Sequence, residues 1–309
     1  MTIKEALYWG ANKFRKRKNC LNNNLDSIFL DAEILLSKVI RKPKEFLYTY
    51  PEKKLTSLQI KKYKNFVQRR TKNEPVAYIV GKKKFYKQQF LVTPDVLIPR
   101  PETELLIDIT KKTIGLPKPD SLNIIDVGTG SGAIAITLKK MFPRAQIFGT
   151  EVSSRALTLA RKNAKHLNAN ITIKKANLLD VQGLALNIIN LAKKSGNLII
   201  TANLPYLSEK EWRMAQPEVK KYEPKGALVG GKYGWELYEK LFKDLKDQLS
   251  DNKNKQHKQI SLIIEIGAKQ KTQITKLIKK YLNPKKIESF KDLNKKWRVI
   301  KCILRKVRK

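Results

Sequence analysis

The feature that most constrains this chain is an apolar run, Leu122–Val127, that ends directly in Gly128-Thr129-Gly130-Ser131-Gly132. Ala133–Met141 follows with helical spacing. Six residues, four of them apolar, are strand length, and glycines after them allow positive φ and close backbone approach to a ligand. A strand, a glycine turn and a helix in that order open a parallel sheet, whose strands need crossover connections. The remainder of the second half continues the alternation. Residues 146–152, 171–175, 197–202 and 260–266 read as strands. Residues 154–166, 184–194, 234–249 and 268–282 read as helices, and 251–258 as a solvated loop. The runs 286–290 and 297–304 lie close enough to form an antiparallel edge. This is an open, largely parallel α/β sheet of Rossmann-like type.

The first 80 residues have a different period. Ile28, Ala32, Leu35, Leu36, Val39 and Ile40 recur at helical spacing, with Asp26 or Ser27 placed to cap the start. After Pro51, the residues Leu55, Leu58, Tyr63, Phe66 and Val67 mark a second apolar face. No catalytic cluster is present, so a helical bundle that positions a partner is the expectation. Residues 81–100 change character again: Phe85, Tyr86, Phe90, Val92, Val96 and Ile98 favour strands, with Thr93-Pro94-Asp95 as the turn signal. The predicted division is a bundle at 1–80, a hairpin linker at 81–100 and a catalytic domain at 101–309. The last begins with a helix opened by Pro101-Glu102-Thr103-Glu104, whose proline and carboxylates suit a helix start.

Composition narrows the setting. No apolar run reaches membrane-span length, and the N-terminus lacks the apolar stretch of a secretory signal. Two cysteines, Cys20 and Cys302, stand in no metal-like spacing, which argues against a metal site and for a reducing cytoplasm. The net charge of +38 suits a polyanionic partner such as RNA. However, only 13 of 65 basic residues are arginine and the lysines are spread along the whole chain. Codon bias explains that pattern equally well.

Glu151 stands at the end of the second strand, where a carboxylate can accept both hydroxyls of a ribose. With Asp126 and the glycine run it outlines an adenosine pocket, which alone does not separate a dinucleotide from S-adenosylmethionine. Asn203-Leu204-Pro205-Tyr206, directly after the fourth strand, decides between them. An Asn side-chain oxygen and the next backbone carbonyl can accept both N–H groups of an NH2, and an aromatic ring can cover its flat face. Such a clamp suits a planar amide or an exocyclic base amine and has no task in hydride transfer. His166 and His257 read as surface or loop residues, and no general base is assigned.

The chain resembles the HemK/PrmC protein-glutamine N5-methyltransferases, in particular the release-factor branch. The likeness runs through Glu74-Pro75-Val76-Ala77-Tyr78, Phe85-Tyr86 and, most specifically, Leu97-Ile98-Pro99-Arg100-Pro101-Glu102-Thr103-Glu104. It continues in the glycine run, Glu151, the Asn203 tetrapeptide, Glu223-Pro224-Lys225-Gly226-Ala227-Leu228, Glu265-Ile266-Gly267 and Arg298-Val299. The resemblance implies an N-terminal bundle, a hairpin and a seven-strand methyltransferase domain that uses S-adenosylmethionine. The implied substrate is the glutamine of the Gly-Gly-Gln motif in class I peptide chain release factors; the basic surface allows nonspecific RNA contact, and the apolar run lengths speak against a membrane partner. It implies that Asp126, Gly128, Thr129, Gly130, Ser131, Gly132, Glu151, Asn177, Leu178 and Asn203 hold the cofactor. Asn203 through Tyr206 then bind the acceptor, with Phe85 and Arg100 lining its approach. Two departures stand out. Leu204 replaces a proline, which gives a form also similar to ribosomal RNA adenine dimethyltransferases and keeps an RNA or DNA amine as the alternative acceptor. Asn177 replaces the acidic residue after strand three, with Asp180 as a possible substitute.

Overall fold

The computed structural model describes residues 1–15, 25–115, 122–180, 197–250 and 259–304. The helix expected at 184–194, the loop at 251–258, Cys20 and His257 lie outside them. The chain forms two compact units: Met1–Lys82 with Gln216–Tyr222, and Lys83–Ala215 with Glu223–Lys309.

The first unit contains helices α1 (Ile3–Arg15), α2 (Leu25–Ile40), α3 (Glu45–Thr49), α4 (Ser57–Thr71) and α5 (Val76–Val80). Their apolar faces meet in one core around Phe14, Leu35, Leu36 and Tyr63. Thr56 and Gln59 cap α4 reciprocally, satisfying two of the amides that a helix start leaves unpaired. Leu58, expected on the buried face, is 75% exposed because it sits across the helix from Tyr63, Phe66 and Val67. Residues 216–222 also belong to this unit, outside the expected span of 1–80. Arg70 donates to Asp31 at 2.7 Å and to Glu218 at 2.9 Å, and the Tyr222 hydroxyl donates to the Lys72 carbonyl.

In the second unit, strands β1 (Lys82–Phe85) and β2 (Gln88–Leu91) form the hairpin. Its turn is Tyr86-Lys87, both at positive φ as a two-residue mirror-image turn requires. The turn signal expected at Thr93-Pro94-Asp95 makes a separate bend further along, where the Val96 amide donates to the Thr93 carbonyl. The hairpin packs against the rest of this unit. Buried Asn163 accepts the Leu91 amide at 2.7 Å and donates to the Leu91 and Ser131 carbonyls, so one side chain joins the hairpin to the glycine turn.

A single turn at Pro101–Thr103 leads into α6 (Glu104–Ile114). Then come β3 (Leu122–Val127), α7 (Ala133–Met141), β4 (Gln146–Glu151), α8 (Ser154–His166), β5 (Thr172–Lys175) and β6 (Asn197–Ala202). A small side sheet of β7 (Leu207–Ser208) and β8 (Val229–Gly231) is interleaved with α9 (Glu209–Met214) and α10 (Pro217–Tyr222), the latter part of the first unit. The unit closes with α11 (Glu236–Ser250), β9 (Gln259–Glu265), α12 (Lys271–Leu282), β10 (Pro284–Lys291) and β11 (Trp297–Leu304).

The main sheet has the order β10-β11-β9-β6-β3-β4-β5. Five strands are parallel, and β10 and β11 form the antiparallel edge expected. All six residues of β3 are buried, as a central strand covered on both faces must be. The chain crosses from one side of β3 to the other between β5 and β6. This switch point opens a crevice at the strands' carboxyl ends.

Candidate active site

The crevice holds a cleft of about 360 Å3, and sheet register brings its walls together. Val127 pairs with both Thr150 and Ala202, so the glycine turn, Glu151 and Asn203 leave the sheet at one level. Gly128, Thr129, Gly130 and Ser131 form its floor. The turn needs positive φ at Gly128 (70°) and Gly130 (57°), and their surroundings differ. A Cβ at Gly128 would lie 2.9 Å from Leu204, whereas one at Gly130 would meet no atom within 4 Å. The turn therefore leaves space on the ligand side and none on the protein side.

Glu151 accepts the Gly130 amide at 2.9 Å and the Ser153 amide at 2.8 Å, one on each oxygen. Each oxygen keeps a lone pair for a ligand hydroxyl. Asn177 and Leu178 line the cleft, Leu178 at φ 60°, whereas Asp180 is not among its lining residues. Phe85 and Arg100 line it as well, together with Asn203, Leu204 and Pro205.

Three expected residues lie elsewhere. Asp126 is fully buried under the turn, where its carboxylate accepts the Thr129 hydroxyl at 2.6 Å and the Thr201 hydroxyl at 2.9 Å. Burial pushes its pKa up to about 6 against those bonds. It braces the turn from below. Gly132 caps α7, and a Cβ there would strike Ile136 rather than project into the cleft. Tyr206 does not cover an acceptor from within the cleft lining. Its hydroxyl turns inward to donate to Glu265 Oε1 at 3.2 Å, because a buried carboxylate demands a donor.

The structure adds side chains whose part in the site no sequence motif announces. Glu223 is buried, forms an ion pair with Arg100 and accepts the Ile98 amide at 3.3 Å, fixing the loop before α6. The Asn203 side chain donates through Nδ2 to the Thr103 hydroxyl at 3.1 Å. The Leu204 amide, which a proline would lack, donates to the Tyr238 hydroxyl at 3.2 Å. Tyr238 in turn donates to the Glu265 carbonyl. Glu265 is 1% exposed, and burial raises its pKa to about 7, opposed by Thr103, Arg298 and Tyr206. An acidic residue closing the apolar strand Leu262-Ile263-Ile264 was the available signal.

A doubly wound sheet carrying a glycine turn, an acidic strand end and Asn203 in one crevice has the layout of an S-adenosylmethionine-dependent methyltransferase. Residues 5–81 match the PrmC N-terminal domain, and residues 102–192 match the methyltransferase small domain. A release factor glutamine methyltransferase of Dictyoglomus turgidum is 36% identical over 301 residues, covering 97% of this chain and 98% of its own. One from Coxiella burnetii is 39% identical over 220 residues, 71% of this chain and 74% of its own. The chain belongs to the release factor glutamine methyltransferase family. Among solved structures, the hMettl16 catalytic domain in complex with the MAT2A 3'UTR hairpin 6 aligns with a TM-score of 0.50 at 16% identity, over 69% of this chain and 74% of that one. That likeness speaks for the fold alone.

Proposed function

We propose that the protein methylates the side-chain amide nitrogen of the glutamine in the Gly-Gly-Gln motif of class I peptide chain release factors. The observation that carries this reading is Asn203. Its Nδ2 is engaged by Thr103, while Oδ1 accepts no bond among the described residues and the residue lines the cleft. Oδ1 is thus the atom available to accept an N–H from a bound amide.

Gly128 to Ser131, Glu151, Asn177 and Leu178 hold the cofactor in this reading, with Glu151 on the ribose. When bound, S-adenosylmethionine supplies a sulfonium methyl as the electrophile. An amide nitrogen is a poor nucleophile because its lone pair is delocalised into the carbonyl. Asn203 Oδ1 and the Leu204 carbonyl orient the NH2 group and stabilise positive charge developing on nitrogen, so positioning and preorganised dipoles supply the acceleration. Phe85 and Arg100 guide the acceptor, and the bundle of residues 1–80 positions the release factor. No helix among the described residues is long and apolar enough to cross a membrane. We place the reaction in the cytoplasm.

The test is incubation with methyl-labelled S-adenosylmethionine and either the organism's release factor or its ribosomal RNA. Label on the motif's glutamine supports the reading. Label on RNA alone replaces it with a base-amine methyltransferase.

A further inference from the structure

We propose that Thr103 and Glu265 set the orientation of the Asn203 amide, and so act as positioning residues for the methyl acceptor. The proposal rests on the clamp reading above. An Asn amide can present either its oxygen or its NH2 to the cleft, and only the oxygen can accept an N–H from the acceptor. In the flipped state two NH2 groups would face each other. The clamp therefore needs something that selects one orientation.

Thr103 alone does not select, since a hydroxyl both donates and accepts. Its neighbour does. Thr103 is 4% exposed and lies beside the Glu265 carboxylate, close enough to oppose the rise in that group's pKa. Glu265 Oε1 accepts the Tyr206 hydroxyl, whereas Oε2 is buried and makes no hydrogen bond. Above about pH 7, where Glu265 is ionised, its carboxylate is acceptor-only, so Oε2 is the natural destination of the Thr103 proton. With that proton committed, Thr103 offers Asn203 only lone pairs. Nδ2 takes one of them at 3.1 Å, and Oδ1 is left for the acceptor.

The same residue secures the rest of the tetrapeptide. Ala202 pairs with Ile264, which sets Glu265 level with Asn203 on the neighbouring strand. The Glu265 carbonyl accepts from Tyr238, whose oxygen accepts the Leu204 amide. Arg298, paired with Asp292 and 3.5 Å from the Tyr206 hydroxyl, brings positive charge to the carboxylate's side, while Glu102 opposes it. Glu265 thus reaches Asn203, Leu204 and Tyr206 by three separate routes.

The experiment compares Thr103→Val, which keeps the shape and removes the hydroxyl, with Thr103→Ser, which restores it. Methyl transfer, acceptor KM and S-adenosylmethionine affinity by calorimetry are read for each. Thr103→Val is expected to lower kcat at least about tenfold with cofactor affinity within about twofold, and Thr103→Ser to recover most of the rate. Glu265→Gln, whose NH2 can donate to Thr103, should resemble the valine variant. A folded Thr103→Val with unchanged kcat and acceptor KM overturns the proposal, as does failure of serine to rescue. If the wild-type enzyme labels RNA instead of the release factor, the substrate reading fails separately. The valine–serine contrast still tests the relay there, since a base amine presents the same NH2.

Discussion

Glu151, at the end of β4, accepts the backbone amide of Gly130 at 2.9 Å, so the acidic strand end and the glycine turn are held as one piece. The carboxylate therefore orders the turn, in addition to the ribose contact proposed for it. Glu151→Ala should weaken S-adenosylmethionine binding by about tenfold or more, since two charge-assisted backbone bonds are lost with the ribose contacts. Titration calorimetry checks this, and unchanged affinity would remove the role assigned to Glu151.

At Gly130 the open space is on the ligand's side. Gly130→Ala adds about 1–2 kcal/mol of left-handed strain and a methyl group that meets no protein atom within 4 Å. The variant is expected to fold, to unfold at lower urea than wild type, and to bind the cofactor poorly. Normal affinity in the folded variant would show that no ligand approaches the turn there.

Asn203→Ala removes the oxygen proposed to hold the acceptor while leaving the glycine turn and Glu151 in place. We expect the methyl-transfer rate to fall by about two orders of magnitude or more, with cofactor affinity largely kept. Single-turnover labelling at saturating acceptor measures it. A near-normal rate would mean that Asn203 does not act on the acceptor.

Tyr238→Phe tests the bridge between β9 and the tetrapeptide. The lost hydroxyl would leave the Leu204 amide and the Glu265 carbonyl without their partner in a buried place, at a cost of about 1–3 kcal/mol. Urea unfolding should show the loss, and a stability equal to wild type would mean that other groups satisfy both.

Stability should also depend on pH through Glu265. Its pKa rises from 4.5 to about 7 on folding, so the native state holds more protons than the unfolded state between those values. The contribution is full below about pH 4.5 and is lost as pH climbs to about 7, by about 3 kcal/mol. Asp126, raised to about 6, adds a decline of the same sign. Glu265→Gln should flatten the curve over this window in urea unfolding at stepped pH. Parallel curves for the two proteins would show that Glu265 titrates alike in both states.

The local features were legible from sequence because their causes are local. Leu122–Val127, Ala133–Met141, Ser154–His166 and Trp297–Leu304 have the bounds read from periodicity and from glycine and proline punctuation. The positive φ of the glycine turn follows from residue type. Where a local signal had two readings, the environment chose. Tyr86-Lys87 took the hairpin turn that Thr93-Pro94-Asp95 seemed to claim, and Leu58 faced outward.

What only the tertiary structure decided is which distant groups meet. Thr103 and Asn203 stand 100 residues apart, and Arg70 and Glu218 stand 148 apart. No periodicity relates such pairs. They meet because α6, which Thr103 precedes, packs against the neighbouring strands β6 and β9, and because residues 216–222 belong to the first unit. Asp126 shows the reason most plainly. Its sequence position is that of a pocket residue, yet it points beneath the turn, where the hydroxyls of Thr129 and Thr201 satisfy a carboxylate that water cannot reach. Residue type and spacing determine what a segment can do, whereas burial and the partners it imposes determine which of those things it does.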